Sequence, residues 1–490
     1  MLETAETRPA ISVEQYETLE PELRTQLVAM QQQMRNAKFA LIIIVSGDDA
    51  AGVRAVTNLF SEWMDPRFVA TSVFGEPTGD ELLRPPSWRY WRELPPNGRT
   101  AVFSDEWTTR ALALRIGGKM GQRRYEDSIE NCRQFETMLA ADGTVFVKLY
   151  VHLADKDLAK QRKRLRKESG WSSVASIGRA MLKHPVKARK LVEEMLEHTS
   201  TGLSAWKLVE GTCKRSRNVV AARAVLDAVN VKLNQKEAVS AGTTATAAAV
   251  EAPEKSILSS VDLSSKLDPD EYEDRMADLK TELSRVALKA QRKGIPVIAA
   301  FEGWDAAGKG GVIRRLAQSM NPEQYRIVPI AAPTDEEKSH HYLWRFWRHI
   351  PANGNFVIFD RTWYGRVLVE RVEGFAKPDE WGRAYSEINF FEDHLVRQGA
   401  VMLKFWLHID QEEQLRRFKD RENTPFKSYK IGPEDYRNRE KWDQYVAAID
   451  DMVARTSTPD APWHLIPSND KMFARVDVIS RVIKAIKDRI

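Results

Sequence analysis

Residues 303–311 read Gly-Trp-Asp-Ala-Ala-Gly-Lys-Gly-Gly, and the short apolar run 295–301 precedes them. An apolar run of this length before a glycine-rich turn is typical of a buried strand, and a helical stretch follows the turn. Gly303, Gly308 and Lys309 fit the G-x-x-x-x-G-K frame of a phosphate-binding loop, in which backbone N–H groups surround phosphate oxygens. We therefore predict a strand, a phosphate loop and a helix whose positive end adds to the phosphate site.

The residue after the loop lysine departs from the usual pattern. Gly310 stands where a Ser or Thr normally binds Mg²⁺, so another oxygen donor is needed. Asp305, inside the loop, is the obvious candidate for that donor. An Asx turn or helix cap that stabilises the loop is the alternative explanation for an aspartate at this position.

A second apolar run ends in residues 359–366, which read Phe-Asp-Arg-Thr-Trp-Tyr-Gly-Arg. An aspartate at the carboxyl end of a buried strand is the expected second anchor for Mg²⁺, so we predict Asp305 and Asp360 as the metal ligands. Arg361 can offer a planar pair of N–H donors to phosphate oxygens. A structural salt bridge between Asp360 and Arg361 is the alternative.

The segment 416–430 is rich in Arg and Lys around a proline, and it follows another predicted strand. Such a segment can close over a phosphate chain as a lid and exclude water from the phosphoryl group that is transferred. A solvated basic helix face is the alternative, because runs of this kind usually lie in water.

The second half of the chain alternates between helical and strand patterns. Apolar residues recur at spacings of three and four over 272–286, which predicts an amphipathic helix. Short apolar runs at 356–359, 401–407 and 464–466 predict further strands, with helical stretches between them. This alternation predicts an α/β fold in which a parallel sheet carries helices on both faces.

The chain contains two copies of the same domain. Residues 88–98 match residues 344–354 at seven of eleven positions, and the offset of 256 residues holds over most of both halves. Small and polar residues without apolar periodicity separate the copies, as is typical of a flexible linker. The predicted parts are a tail at 1–13, a first copy at 14–234, a linker at 235–262 and a second copy at 263–490.

Composition narrows the class of protein. The 490 residues are 43% hydrophobic and 29% charged, which is enough apolar material for more than one core, and the formal net charge of +5 is too mild to indicate nucleic acid. Two cysteines exclude a disulfide framework and suit a reducing compartment. The apolar run 39–45 is too short to span a bilayer, and residues 1–7 lack the features of a secretory signal. We predict a cytoplasmic protein without a membrane or nucleic-acid partner.

Together these motifs resemble the second family of polyphosphate kinases, over the whole second copy and more weakly over the first. The fused two-copy chain and residues 364–375 are similar to the subgroup that transfers the terminal phosphoryl group of polyphosphate to AMP. The resemblance implies two tandem P-loop kinase domains with thymidylate-kinase-like parallel sheets, each with a helical lid. It also implies Mg²⁺ as the cofactor and inorganic polyphosphate with AMP and ADP as substrate and product.

The same resemblance implies roles for individual residues. Those expected near the acceptor nucleotide lie in the segment 364–375. The residues that carry a catalytic role are Asp305, Lys309, Asp360, Arg361 and Arg421. The residues that contact substrate are Gly303, Gly308, Gly310, Gly311, Arg366, Glu370, Arg371 and Lys427.

The first copy lacks most of the corresponding residues. Val53 stands at the position of the loop lysine, and Ser104 and Asp105 stand at the positions of the Asp–Arg pair, whereas Asp49 keeps the loop carboxylate. We therefore predict that the first copy does not transfer phosphoryl groups. Its basic run 160–167 is consistent with holding or guiding polyphosphate; the alternative is a purely structural partner that forms an intramolecular pseudo-dimer, with further homo-oligomers left open.

Three alternatives to phosphorylation of AMP by polyphosphate remain at this point. ADP or GDP is the acceptor in the first, because the sequence does not define the base pocket. In the second, ATP is the donor, as in an ordinary nucleotide kinase. In the third, the chain binds polyphosphate or nucleic acid without catalysis, which the mild net charge and the intact motifs of the second copy disfavour.

Overall fold

The computed structural model describes residues 2, 10–47, 52–154, 157, 159–160, 183–234, 255–425 and 431–490. The chain divides into two compact units. The first unit comprises Met1–Thr78, Arg89–Ala241 and Thr334–His341, and the second comprises Gly79–Trp88, Gly242–Pro333 and Tyr342–Ile490.

Helices and strands alternate along both halves of the chain. In the first half they are α1 (Val13–Met34), β1 (Leu41–Gly47), α2 (Val53–Trp63), β2 (Val69–Val73), α3 (Trp88–Arg92), β3 (Thr100–Ser104), α4 (Trp107–Ile116), α5 (Gln122–Ala141), β4 (Val145–His152), α6 (Pro185–Thr199), β5 (Trp206–Glu210) and α7 (Lys214–Asn234). In the second half they are α8 (Pro269–Arg292), β6 (Val297–Gly303), α9 (Lys309–Gln318), β7 (Tyr325–Pro329), α10 (Asp335–Lys338), α11 (Trp344–Trp347), β8 (Phe356–Asp360), α12 (Val369–Val372), α13 (Pro378–Arg397), β9 (Val401–His408), α14 (Gln411–Glu422), α15 (Pro433–Glu440), α16 (Trp442–Thr456), β10 (Trp463–Pro467) and α17 (Lys471–Arg489). Short 3-10 helices lie at Gly79–Leu83, Ile257–Ser260, Pro322–Gln324 and Trp363–Arg366.

Each unit is built on a parallel sheet that has five strands among the described residues. The strand orders are β2-β3-β1-β4-β5 and β7-β8-β6-β9-β10, so the two sheets have the same topology. In the second sheet β6 is central and pairs with β8 on one side and β9 on the other. The predicted α/β class, with two tandem P-loop kinase-like domains, is confirmed.

Burial explains which strands the sequence pattern revealed. The central strands β6 and β9 are buried along almost their whole length and read as continuous apolar runs. The edge strand β7 contains the exposed residues Arg326 and Ile327 and ends at Pro329, so its sequence lacks a clear apolar pattern. This strand was not predicted.

A buried ion pair lies in the core of each unit. Lys404 Nζ lies 2.7 Å from a Glu392 carboxylate oxygen and donates to the Thr456 backbone oxygen at 2.6 Å. In the first unit Lys148 Nζ lies 2.6 Å from a Glu136 oxygen. Because the pair occurs in both units, including the one that lacks the loop lysine, we regard it as structural.

The segment 255–262 differs from the expectation of a flexible linker. Ile257–Ser260 forms a short helix capped by the Ser256 hydroxyl, and Leu258 is buried. The Ser256 hydroxyl also donates to Asp450 at 2.8 Å. One buried leucine and these hydrogen bonds hold the segment against α16 within the second unit. Residues 235–254 of the predicted linker lie outside the described residues.

In the part of the chain that the structure describes, no helix is both long enough and apolar enough to cross a bilayer.

The tryptophans of the matching segments 88–98 and 344–354 pack in the interior, since Trp88, Trp91, Trp344 and Trp347 are all buried.

Candidate active site

The glycine-rich loop joins the end of β6 to the start of α9. Gly303 has φ 149°, and a Cβ atom at this residue would lie 2.6 Å from the Leu407 backbone oxygen. Gly308, with φ 109°, is the residue before α9 and provides no side-chain cap. A Cβ at Gly310 would meet nothing within 4 Å. The fold therefore requires glycine at 303, whereas the space beside Gly310 is open to a ligand.

The lysine of the loop is folded back onto its own backbone. Lys309 Nζ donates to the backbone oxygens of Gly303 at 2.6 Å and Trp304 at 3.2 Å. Burial lowers the pKa of this ammonium group, and the nearby carboxylates of Asp305 and Asp360 oppose the shift. The ammonium group thus lies in the electrostatic field of both predicted metal ligands.

Asp305 is held from two directions. One carboxylate oxygen accepts a hydrogen bond from Arg361 Nη2 at 3.3 Å, and the other accepts from Asn438 Nδ2 at 3.0 Å. The backbone oxygen of Asp305 accepts from Gln414 Nε2 at 3.2 Å. The structure therefore brings Asp305 and Arg361 together, and it adds two residues, Gln414 and Asn438, that the sequence did not indicate.

Asp360 and Arg361 lie beside the loop because β8 pairs with β6. Asp360 is the last residue of β8 and is in register with Phe301, and the Arg361 N–H donates to the Phe301 oxygen at 3.1 Å. Arg361 has φ 65°, which is unfavourable for a residue with a side chain. The matching residue of the first unit, Asp105, has φ 54°. The positive φ at this position is therefore a feature of the fold and does not depend on the arginine.

Arg417 of α14 contacts the side of the loop that faces the protein interior, a role that the sequence did not indicate. Its buried guanidinium donates to the backbone oxygens of Ala306 and Ala307, each at 2.9 Å. The other end of the group donates to Ser468 O at 2.6 Å and Asn469 O at 2.9 Å. The residue lies within the basic segment 416–430, but only its burial separates it from its neighbours.

Trp304, which follows the last glycine of β6, stacks on the first residue of α16. The rings of Trp304 and Trp442 are 3.6 Å apart and nearly parallel, with an interplanar angle of 6°. Trp304 Nε1 donates to His408 Nδ1 at 3.1 Å. Burial lowers the pKa of His408 to about 4, so this ring is neutral near pH 7 and its nitrogen can accept. Packing thus fixes the loop to the helices that follow β9.

Of the predicted lid cations, Arg421 lies in the last turn of α14. Burial and the charge of Asp305 raise the pKa of Asp435, and the charge of Arg421 opposes this rise. Arg421, Asp435 and Asp305 therefore belong to one electrostatic group. Lys427 lies outside the described residues.

The residues expected near the acceptor nucleotide form ion pairs of their own. Arg366 Nε lies 3.2 Å from a Glu370 oxygen. Arg371 Nη1 donates to Asp451 and to the Tyr385 hydroxyl, each at 2.7 Å. Their contacts are thus with each other and with α13 and α16, so a nucleotide phosphate would have to compete with these carboxylates.

The residues present fit a magnesium ion that is bound mainly through substrate. Among the described residues, no group of three or more His, Cys, Asp and Glu side chains is placed to hold a metal. Mg²⁺ commonly uses one or two carboxylates and completes its shell with water and substrate phosphates. Asp305 and Asp360 supply that number of hard oxygen donors beside a phosphate loop.

The first unit lacks this arrangement. Val53 is buried at the start of α2, and Ser104 is buried at the end of β3. Asp105 occupies the strained position that Arg361 has in the second unit. Asp49 and the basic residues 161–167 lie outside the described residues.

Comparison with known proteins gives consistent matches over the whole chain. The model of the family described as Polyphosphate kinase 2 (PPK2) matches residues 10–237 and 266–490. The chain is 42% identical to a polyphosphate:AMP phosphotransferase of Pseudomonas aeruginosa over 489 residues, which is 99% of each chain. It is 36% identical to a polyphosphate:AMP phosphotransferase of Acinetobacter johnsonii over 92% of each chain. A crystal structure of a polyphosphate kinase 2 from Pseudomonas aeruginosa PA01 superposes with a TM-score of 0.88 at 41% identity, covering 100% of this chain and 99% of that one.

Proposed function

The chain belongs to the polyphosphate kinase 2 family, and from this premise we propose that it transfers the terminal phosphoryl group of inorganic polyphosphate to AMP and releases ADP. We assign the reaction to the second unit and its metal dependence to Mg²⁺. The relatives with which the chain aligns from end to end act, by their names, on polyphosphate and AMP.

One observation carries the assignment to the second unit. Lys309, Asp305 and Arg361 come together at the carboxyl ends of β6 and β8, and the space beside Gly310 is open. Ligands of open parallel sheets bind at this edge, where neighbouring strands lead to opposite faces. In the first unit Val53 replaces the lysine.

The chemistry needs no added general base. The phosphate of AMP is already an anionic nucleophile, so the protein has to align two polyanions and offset their repulsion. Lys309 can exchange its two backbone oxygens for phosphate oxygens, because both acceptors are neutral carbonyls. Arg361 and Arg421 add positive charge around the phosphoryl group, as arginines do in other phosphoryl-transfer enzymes.

Asp305 and Asp360 would hold Mg²⁺, which when bound neutralises charge on the phosphate oxygens. Asn438 occupies one oxygen of Asp305 and Arg361 the other. The neutral amide does not compete for charge, so we expect Asn438 to orient the carboxylate while Arg361 turns towards phosphate.

The test incubates the full chain with Mg²⁺ and polyphosphate, and with AMP, ADP or GMP as the acceptor. We expect ADP from AMP, no ADP after Lys309→Ala, and unchanged activity after Lys280→Ala, an exposed lysine on α8. A second set replaces polyphosphate with ATP. If ADP formed from AMP with ATP but not with polyphosphate, the proposal of polyphosphate as the donor would be refuted. If ADP were used in preference to AMP, the proposal of AMP as the acceptor would be refuted.

The cytoplasmic location, the absence of nucleic-acid partners and any oligomer remain predictions. The two cysteines, Cys132 and Cys213, are both free thiols, which suits a reducing compartment.

A further inference from the structure

The helix α2 of the first unit begins without a cap. Its 11 residues start at Val53, and the preceding residue, Gly52, has φ 108° and offers no side chain to the first N–H groups. The N-terminus of a helix carries partial positive charge and exposes N–H donors. In the second unit the matching end of α9 is the candidate phosphate site.

A buried arginine points at this helix end. Arg217 of α7 is 8% exposed, and its Nη1 would lie 2.3 Å from a Cβ atom at Gly52, so the guanidinium rests directly against the start of α2. Within the described ranges, its Nε has no hydrogen-bond partner. The carboxylate of Glu210 attracts this charge, but its oxygens accept hydrogen bonds from the backbone N–H groups of Thr212 and Cys213.

The Arg217 guanidinium and the N-terminus of α2 both carry positive charge, so they repel each other and an anion would stabilise both. A buried guanidinium with an N–H that has no acceptor is unfavourable, and the positive end of α2 adds to this cost. An anion with several oxygens could accept from the guanidinium and from the helix N–H groups together.

Comparison of the two units strengthens the case. α7 and α17 align at Lys214 and Lys471, and the residue of the second unit that matches Arg217 is Ala474. The second unit also has an arginine beside this helix end: Arg417 Nη1 would lie 3.8 Å from a Cβ atom at Gly308, and its guanidinium donates to four backbone oxygens. The first unit has lost the loop lysine, at Val53, and its arginine comes instead from α7, with no hydrogen-bond partner at Nε among the described residues.

We propose that the first unit binds a phosphate group between Arg217 and the N-terminus of α2, and that it does so without transferring it. The phosphate belongs either to free inorganic phosphate or to one unit of a polyphosphate chain. The binding does not depend on turnover in the second unit.

The experiment uses the full chain carrying Lys309→Ala, which weakens the phosphate loop of the second unit. Isothermal titration with tripolyphosphate is compared for this protein with and without Arg217→Gln, and a parallel titration uses inorganic phosphate. We expect Arg217→Gln to weaken binding at least tenfold. Arg123→Gln, an exposed arginine on α5, is the matched control and should leave the affinity unchanged. Weakening in the tripolyphosphate arm alone identifies the polyphosphate chain as the ligand, and equal weakening in both arms identifies free phosphate.

Thermal unfolding gives a second readout, in which the substitution should raise the unfolding temperature when phosphate is absent. Without phosphate, Arg217→Met should raise the unfolding temperature because it removes a buried charged group whose Nε has no acceptor; with tripolyphosphate, the variant should show a smaller stabilisation than the parent. Equal affinities for the parent and Arg217→Gln would overturn the proposal, as would equal tripolyphosphate-induced shifts. Because both experiments measure binding or unfolding rather than turnover, neither result depends on whether the proposed transfer to AMP is correct.

Discussion

Replacing Arg417 with methionine tests whether the phosphate loop is shaped by a residue that touches no substrate. The side chain is 3% exposed, donates to four backbone oxygens and pairs with Glu413. Methionine fills much of the same volume but supplies no donor. The change therefore leaves the backbone oxygens of Ala306, Ala307, Ser468 and Asn469 without this donor, whereas Glu413 keeps its ion pair with Arg416.

The neighbouring Arg416 provides the control, and its exposure indicates how large the difference in unfolding free energy should be. Arg416 pairs with the same Glu413 at 2.7 Å, but its side chain is 64% exposed. Breaking a buried charged network by removing one member costs about 3–5 kcal/mol, whereas an exposed ion pair contributes about 0–1 kcal/mol. Arg417→Met should therefore cost several times as much stability as Arg416→Met.

Urea unfolding of the full chain measures this difference, with Trp304 and Trp442 as fluorescent reporters beside the loop. We expect the transition of the second unit to lose about 3–5 kcal/mol in Arg417→Met and at most about 1 kcal/mol in Arg416→Met. Phosphorylation of AMP should fall in Arg417→Met under conditions where the protein remains folded. Equal losses in the two variants, or full turnover in Arg417→Met, would refute the role assigned to this residue.

Three further predictions concern the same unit. Asn438→Ala should lower kcat about 10- to 100-fold with a smaller effect on KM, because residues that orient a metal ligand have effects of this size; an unchanged Mg²⁺ dependence would argue against its hold on Asp305. Because burial lowers the pKa of Lys309, kcat/KM should fall as pH rises through an apparent pKa below the ordinary lysine value of about 10.4, since only the charged amine stabilises phosphate; a profile that is flat through that range would contradict this. Lys404→Met should cost about 3–5 kcal/mol in urea unfolding by leaving the charge of the buried Glu392 without its counter-charge, and adding Glu392→Gln, which removes that charge and keeps an acceptor for Trp363 and Tyr364, should recover much of that loss; a double variant no more stable than the single one would count against the pairing.

The sheet and the phosphate loop could be predicted because local patterns specify them. Buried parallel strands are short apolar runs, and the glycine at 303 is required by the close approach of Leu407 O. The placement of Asp305 near Arg361 also follows from sequence, since both come directly after neighbouring strands.

Arg417 and Asn438 could not be found in the same way. Arg416 and Arg417 are adjacent and chemically identical, yet one lies in water and the other under the loop. Their difference depends on how α14 packs. Gln414, Arg417 and Phe418 share the buried face of that helix at spacings of three and four, and this periodicity is the one signal that marks Arg417 in the sequence.

The first unit differs from the second in the position of a buried carboxylate as well as in the loss of catalytic groups. In the second unit Glu302 is buried beside Lys309 and accepts a hydrogen bond from Thr362 at 2.7 Å. In the first unit the matching residues are Ser46 and Glu106, so the buried carboxylate has moved from one strand end to the other. Burial raises the pKa of Glu106 to about 7; burial also raises the pKa of Glu302, but the hydrogen bond from Thr362 and the charges of Lys309 and Arg361 oppose that rise. Thr362, Lys309 and Arg361 are replaced in the first unit by Glu106, Val53 and Asp105, so a carboxylate at the position of Ser46 would lack all three of the groups that stabilise Glu302.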